Sequence, residues 1–475
     1  MKILNTKAKN LLKNINYTVT ANFLVLGISV ILNLFVPKFI GIKEYSYWQL
    51  YVFYSSYVGF LHFGWLDGIY LKNGGKEYDE LDRPSLGSQF WYLFLFELIL
   101  STIMISLAIT FSNSSNKTII LILTASVSVI KNLCTFILYI FQSTNRIKEY
   151  AQLSRNDRYI YISLLSIYIL FGGRNYFILI LLDIFSRLVV SLWGFFKIKD
   201  LLLNKIVKLH IVFPEIIDNI KIGSNLMLSN IAGMLIIGIS RTLIEYKWSV
   251  ETFGKLSLTL SISNMFMTFI NAVGVVMFPL LRRANQKNLP SLYYDFRNIF
   301  VPLSFSFLVF FQPLKIILEF WLPNYKQSLL FMGILFPMIV YEGRMSLLIT
   351  TFLKTIRQEK KILYANTIAL IFSIFFSIVT TILLDSLLLS IGIIMIGLVL
   401  RCIIAEKLLE QSLNLARTKD LQIELLLTII FIFSNILLNN TNSFLIYAFF
   451  FIGYLAFVRK KSIASMKNLI KILHS

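Results

Sequence analysis

Cysteine and histidine are nearly missing from this chain of 475 residues, which holds two of the first and three of the second. Cys134 and Cys402 both fall inside apolar runs, so both read as buried thiols and no disulfide framework is expected. His62, His210 and His474 are scattered, and no Cys/His spacing suits a metal ion. No glycine-rich GxxxxGKS/T loop, HExxH helix or GxSxG elbow occurs. An ATPase site, a zinc protease and a serine hydrolase of the elbow type are therefore not expected, and neither a catalytic residue nor a cofactor is assigned. Acidic side chains are also scarce, with 24 Asp and Glu against 45 Lys and Arg. A net charge of +21 on a soluble chain would suggest nucleic acid, but no aromatic-basic nucleic-acid motif is present. The cations instead crowd short hydrophilic gaps between apolar runs, as in membrane proteins.

Apolar residues are what the chain has in abundance. They make up 57% of it, where soluble chains run about 45–50%. The mean hydropathy is +0.74. A bilayer core about 30 Å thick needs roughly 20 apolar residues per crossing helix. Fourteen such runs are read at 15–36, 46–71, 86–111, 118–142, 158–172, 175–196, 222–244, 253–281, 298–320, 328–352, 362–384, 386–410, 423–439 and 443–458. Helices are expected because each backbone polar group must be satisfied within lipid. The basic head at Lys2, Lys7, Lys9 and Lys13 precedes a run too long for a signal-peptide core, so it reads as an uncleaved first span.

Lys and Arg favour alternate gaps, starting with the N-terminal segment and ending with the C-terminal one. This alternation supports fourteen spans with both termini in the cytoplasm. Residues 72–85 are then a cytoplasmic loop, with Gly74 and Gly75 releasing the chain from its helix. The longest cytoplasmic gap, 197–221, contains HIVFPEIIDNIKIG, a short amphipathic segment. Six spans precede it, six follow, and two remain. The expected fold is an all-α integral membrane protein with two pseudo-symmetric six-helix bundles, 1–196 and 222–410. A linker at 197–221 joins them, and 411–475 holds two extra helices and a basic tail. Weak echoes support a duplication: Asn22 precedes Glu44 much as Asn230 precedes Glu251. An even number of spans per half gives both halves one membrane orientation.

Several runs carry polar stripes at helical spacing. Span four shows Thr124, Ser128, Lys131, Thr135 and Gln142, and span eight shows Ser257, Ser261, Asn264, Thr268 and Asn271. Span one carries Thr18, Asn22, Ser29 and Asn33, and span seven carries Asn225, Ser229 and Ser240. Small polar residues also glue membrane helices together, but five-residue stripes favour a hydrated cavity. Lys131, Arg187 and Arg401 lie near mid-span, with Arg344 in the inner half of span ten. Each costs roughly 2.5–3.5 kcal/mol in lipid, so the four together need relief of about 10 kcal/mol. The relief could be structural: Asp183 and Arg187 are i,i+4, Glu97 is in range of Lys131, and Arg344 and Arg401 could snorkel. It could also be a cationic cavity that receives phosphate oxygens. Asp67, Glu97, Asp183 and Arg241 are the gating or ion-coupling candidates. Arg241, with Lys255, Glu245 and Glu251, makes either an external gate or a solvated rim.

The stretches GIKEYSYWQLYVFYSSYVGFLHFGWLDGIYLKNGG (41–75) and KWSVETFGKLSLTLSISNMFMTFINAVGVVMFPLLRR (247–283), with Pro279 at the inner end of span eight, carry a resemblance over the whole chain. It resembles the polysaccharide exporter branch of the multidrug/oligosaccharidyl-lipid/polysaccharide flippase superfamily, the bacterial O-antigen and capsule repeat-unit flippases. The resemblance implies two rocking six-helix bundles in the plasma membrane. The implied substrate is an undecaprenyl-pyrophosphate-linked oligosaccharide moved to the outer leaflet across a cavity lined with cations. Lys131, Arg187, Arg344 and Arg401 match that lining by residue type. A basic residue mid-span one is absent, with Asn22 in its place, which points away from lipid II as substrate. A polysaccharide polymerase and other assembly proteins are the further partners such a role would bring. An ion-coupled multidrug antiporter of the same fold is the alternative, kept open by Glu97, Asp183 and Glu342. A membrane glycosyltransferase or polymerase stands third, since no sizeable external loop exists to hold its catalytic residues.

Overall fold

The computed structural model describes residues 27–112, 114–283, 286–415 and 420–474, with side chains outside the description at 269, 271–280, 282–283, 286 and 470–474. Thr18 and Asn22 of span one fall outside the described residues, as do the side chains of Asn271 and Pro279. The described residues are helical throughout, joined by short turns, with no strand among them.

In chain order the helices are α1 (Gly27–Ile40), α2 (Ile42–Val58), α3 (Trp65–Asn73), α4 (Arg83–Phe111), α5 (Ser115–Ser143), α6 (Ile147–Leu170) and α7 (Tyr176–Lys197). There follow α8 (Leu209–Lys247), α9 (Val250–Arg283), α10 (Leu289–Val309), α11 (Phe311–Trp321), α12 (Pro323–Leu335) and α13 (Met338–Thr355). The last four are α14 (Glu359–Leu383), α15 (Leu387–Ser412), α16 (Leu421–Leu437) and α17 (Asn440–His474). Among the described residues, seven helices are long and apolar enough to cross a bilayer: α4, α5, α7, α8, α14, α15 and the part of α17 up to Leu469. The count is nine if the bent pairs α10–α11 and α12–α13 are each one span. The chain is a multi-pass membrane protein.

Two compact units form. One is Leu34–Ile231, where α4 packs along α5, α6 along α7, and α5 also meets α2, α3 and α7. Its core joins Trp65, Phe90, Phe136, Phe141 and Leu202. The other takes in Ala232–Ser475, where α10 packs on α17, α14 on α15 and α16 on α17. Phe311, Phe336, Phe431 and Tyr447 interlock there edge to face and face to face.

Spans nine and ten are the bent pairs α10–α11 and α12–α13, and three further elements differ from the sequence expectation. Span two is not one helix. It breaks after Val58 and restarts at Trp65, because Phe63 (φ 51°) and Gly64 (φ 87°) both take the left-handed conformation. Span five starts earlier than expected: α6 begins at Ile147, so Arg155 and Asp157 ride on a helix and not in a loop. Residues 209–221, expected within a linker, belong to α8, which runs unbroken through Pro214 to Lys247. Pro214, the sixth residue of α8, has no N–H to donate to the carbonyl four residues back, so the helix forgoes that one bond.

The start of α8 is seated on the restarted helix α3 by backbone-to-backbone contact. A Cβ on Gly68 would stand 1.9 Å from the Asn219 carbonyl oxygen, and one on Gly223 would stand 2.0 Å from that of Gly64. Polar bonds surround the junction. Gln89 Oε1 accepts from both Trp65 Nε1 and Asn219 Nδ2, and Lys72 reaches Glu215 and Asp218. Nearby, Tyr78 donates to Asp200, and its phenol is pushed well above its ordinary range by burial and by that carboxylate.

Candidate functional site

The break in span two has an electrostatic consequence. The last carbonyls of a helix lack intrahelical partners and carry its negative dipole end. At the end of α2 those groups meet two consecutive residues of α5. Lys131 Nζ donates to the Ser55 carbonyl, and Asn132 Nδ2 donates to that of Val58 at 3.1 Å. Lys131 lies over Gly59, where an added Cβ would come within 3.2 Å of its Nζ. Glu97 takes Asn132 and not Lys131 as its partner, at 2.7 Å from Oε1, while its buried Oε2 has no hydrogen bond among the described residues. The expected Glu97–Lys131 pair is therefore replaced by an amide, because the cation is drawn to the helix end.

Asp67 also depends on the break. It sits in the first turn of α3, buried, where the positive dipole end offsets its charge. Tyr139 Oη is 3.5 Å from one of its oxygens and His62 Nε2 is 3.8 Å from the other. A carboxylate just inside an apolar run is thus explained by a helix start that the run conceals.

Arg187 and Asp183 form the i,i+4 pair that their spacing suggests. Nε and Nη2 of Arg187 reach both carboxylate oxygens, at 2.9 and 3.1 Å. Two further partners were not anticipated. Asp157 stands 3.7 Å from Arg187 and accepts from Ser186, and Tyr51 donates to Asp183 at 2.8 Å. From sequence alone Asp157 reads as a loop residue, so its place beside Arg187 is not evident there. Lys131 lies within electrostatic reach of Arg187, Asp183 and Arg158, so one polar cluster joins α2, α5, α6 and α7.

In the second unit, Arg344 neither snorkels nor faces an open space. It is completely buried in a closed ring of four charges. Arg297 Nε bonds Glu406 Oε1 at 2.7 Å, and its Nη2 bonds Glu424 Oε1 at 2.9 Å. Arg344 Nη1 bonds Glu406 Oε2 at 3.1 Å, and its Nη2 bonds Glu424 Oε2 at 2.6 Å. Each carboxylate gives one oxygen to each arginine, and Tyr293 donates to Glu406 as well. The ring is neutral, which is how buried charge is tolerated in lipid. Arg297, Glu406 and Glu424 were not singled out from sequence. The signal available was two carboxylates inside apolar runs with no evident partner on their own helix.

Arg401 is held differently. Among the described residues its guanidinium makes one hydrogen bond, from Nη2 to Glu342 Oε2 at 3.2 Å. Both side chains are partly exposed, at 12% and 18%. Nε of Arg401 is buried without a hydrogen-bond partner among the described residues. Asn366 Nδ2 and Arg401 Nη1 both front the spot where Gly233 lacks a side chain, 3.2 and 3.7 Å from the position a Cβ would take. Arg241 donates to Ser257 at 2.8 Å and lies over the Phe253 ring. Lys255 bonds Gln327 and takes no carboxylate of the expected outer cluster.

The candidate cations thus divide. Arg187 and Arg344 are each held by two carboxylates, Lys131 caps a helix end, and Arg401 has a single light contact. An anion meets least competition at Arg401.

No protein-family model matches the chain, and no curated protein matches it. Solved structures do share its fold. An inward-facing multidrug resistance MATE family transporter of the MOP superfamily aligns with a TM-score of 0.65 at 10% identity, over 83% of this chain and 98% of its own. The lipid II flippase MurJ in an inward closed conformation aligns with a TM-score of 0.65 at 14% identity, over 97% and 100%. A MATE structure in the straight conformation follows with 0.57 at 11% identity, over 86% and 96%. The chain has the fold of these transporters over nearly its full length.

Proposed function

We propose that this protein is a flippase for a lipid-linked oligosaccharide. It would move undecaprenyl-pyrophosphate-linked repeat units from the cytoplasmic to the outer leaflet of the plasma membrane by alternating access. The observation that carries the reading is Arg401, a partly exposed guanidinium held by one hydrogen bond in a chain with a transporter fold. Guanidinium donors match phosphate oxygens in pairs, and a site short of water strengthens the contact. Lys131 is a further candidate cation, once its hold on Ser55 is released. Arg187 and Arg344 would act as scaffolding for those two, since their carboxylates already satisfy them. On this reading both termini are cytoplasmic, the fourteen spans divide six, six and two, and a polysaccharide polymerase would take the product. Asp67, Glu97, Asp183 and Arg241 remain the candidates for gating or ion coupling.

The test is complementation of a flippase-deficient strain whose repeat unit matches the native one. Surface polysaccharide should return and cytoplasm-facing lipid-linked units should clear with wild type. Neither should occur with Arg401→Ala at normal membrane levels. Wild type failing with a matched repeat unit would overturn the reading.

A second reading, an ion-coupled antiporter for cationic compounds, draws on Glu97. This buried carboxylate has an amide for a partner and one oxygen without a hydrogen bond. It requires Glu97→Gln to abolish drug efflux in cells that Arg401→Ala leaves resistant.

A further inference from the structure

The segment between α7 and α8 is apolar on its outside, where a loop in water would be polar. Over residues 203–213, the side chains of Leu203, Ile206, Leu209, Ile211 and Phe213 are each 47–64% exposed. The turn at 74–82, which the sequence reading places on the same side of the membrane, exposes no large apolar side chain, and its Leu81 is buried. The outward side chains are not the result of a slack backbone. Trp91 Nε1 on α4 donates to the Leu202 carbonyl at 2.8 Å. Tyr92 Oη donates to the Val207 carbonyl at 2.9 Å, and the Val207 N–H donates to Ser88 Oγ at 2.7 Å. Leu201, Leu202, Val212 and Ile216 point the other way and fill the core of the unit. The segment is thus pinned to α4 with its remaining apolar side chains turned out.

Charge is sorted in the same manner. The acids here are engaged from within: Asp200 by Tyr78 and Arg83, Glu215 by Ser85 and Lys72, and Asp218 by Lys72. Lys199, Lys205 and Lys208 are exposed and take no carboxylate among the described residues. What faces outward is therefore apolar and cationic together. The position suits a bilayer surface. The 39 residues of α8 extend about 58 Å at 1.5 Å each, nearly twice a bilayer core of about 30 Å. Its apolar run is read at 222–244, so 209–221 stand at the edge of the core or beyond it, and α7 ends before them at Lys197.

We infer that residues 199–213 are a membrane-surface anchor whose partner is lipid with anionic headgroups. The apolar side chains enter the boundary between headgroups and acyl chains, and the three lysines lie among the phosphates with their stems along the apolar layer. Each lysine near an anionic surface adds attraction, so the seat depends on lipid charge as well as on apolar area. The inference goes beyond the flippase reading and holds whatever the protein carries.

The experiment places a nitroxide label on Ile206→Cys in the full chain, with the unsubstituted chain as the labelling blank. The protein is reconstituted in nanodiscs of phosphatidylcholine with or without phosphatidylglycerol. Collisions with oxygen, which concentrates in lipid, are compared with collisions with a neutral water-soluble nickel chelate. With phosphatidylglycerol, oxygen should dominate. Replacing Lys199, Lys205 and Lys208 by Gln together should lower the oxygen-to-nickel ratio by about fivefold or more, and Arg at the same positions should keep it. These lysines are exposed and hold no carboxylate, so the fold should survive. Nickel reaching the label as readily as oxygen would overturn the anchor. A ratio unmoved by phosphatidylglycerol and by the Gln variant would overturn the part played by anionic headgroups. A label shielded from both reagents would mean that protein, such as a second copy of the chain, covers the segment, and would overturn the inference.

Discussion

Replacing Glu424 by Gln removes one charge from the ring of four and leaves the other three in place. Arg297 and Arg344 both lose an ionic partner, at 2.9 and 2.6 Å, in surroundings with essentially no solvent. Removing one member of a buried ion pair typically costs about 3–5 kcal/mol, mostly from the charge left behind. Arg344→Met should cost a similar amount with the opposite excess charge. The informative variant is the double one. Arg344→Met with Glu424→Gln leaves Arg297 and Glu406 at 2.7 Å, neutral and still joined by Tyr293. Its cost should stay near that of one single substitution, about 3–5 kcal/mol, and not rise to the sum of about 6–10 kcal/mol. Reversible unfolding in mixed micelles, followed by tryptophan fluorescence, measures all three against wild type. Additive losses would refute the reasoning, since a shared ring requires the second substitution to relieve the imbalance left by the first.

Gly68→Ala would drive a methyl group into the Asn219 carbonyl, so the variant should accumulate poorly and melt lower, by about 1–3 kcal/mol or more, in a detergent melting assay. Asn132→Leu should destabilise by about 1–3 kcal/mol, because the Val58 carbonyl and the Glu97 carboxylate lose one donor in common; equal melting temperatures would refute the capping role. Arg187→Ala and Arg401→Ala should separate in two assays. The first strands Asp183 and Asp157 and should lower stability by about 3–5 kcal/mol, whereas the second should leave stability within about 1 kcal/mol and, under the proposed function, abolish export.

Helix positions were largely legible because they follow from length and hydropathy. From α2 onward, each expected run coincides with a helix or a broken pair of helices. What escaped was set by single backbone torsions and by distant partners. GFLHFG at 59–64 is apolar enough to pass for mid-span, and only the left-handed Phe63 and Gly64 reveal the break. That torsion then relocates the role of Lys131, which no side-chain pattern on α5 announces. The Arg187–Asp183 pair was readable since it is four residues apart on one helix. Glu406 lies 109 residues from Arg297 and 62 from Arg344, and such pairings depend on which helices become neighbours. The Arg401–Glu342 contact, 59 residues apart, is of the same kind.

The ring of four also sets a timetable for biosynthesis. Ribosomes deliver Arg297 first, then Arg344, then Glu406, so the nascent bundle holds two positive charges and one negative until residue 424 arrives. The remaining 18 residues take roughly 1–4 s at about 5–20 residues per second. During that interval one arginine has no acid to meet, and α16 supplies it. A chain cut short after α15 would never reach neutrality. Its surplus arginine would be a standing defect in the membrane, one that quality-control proteases could act on. Glu424 thereby reports that α16 has been made and has docked.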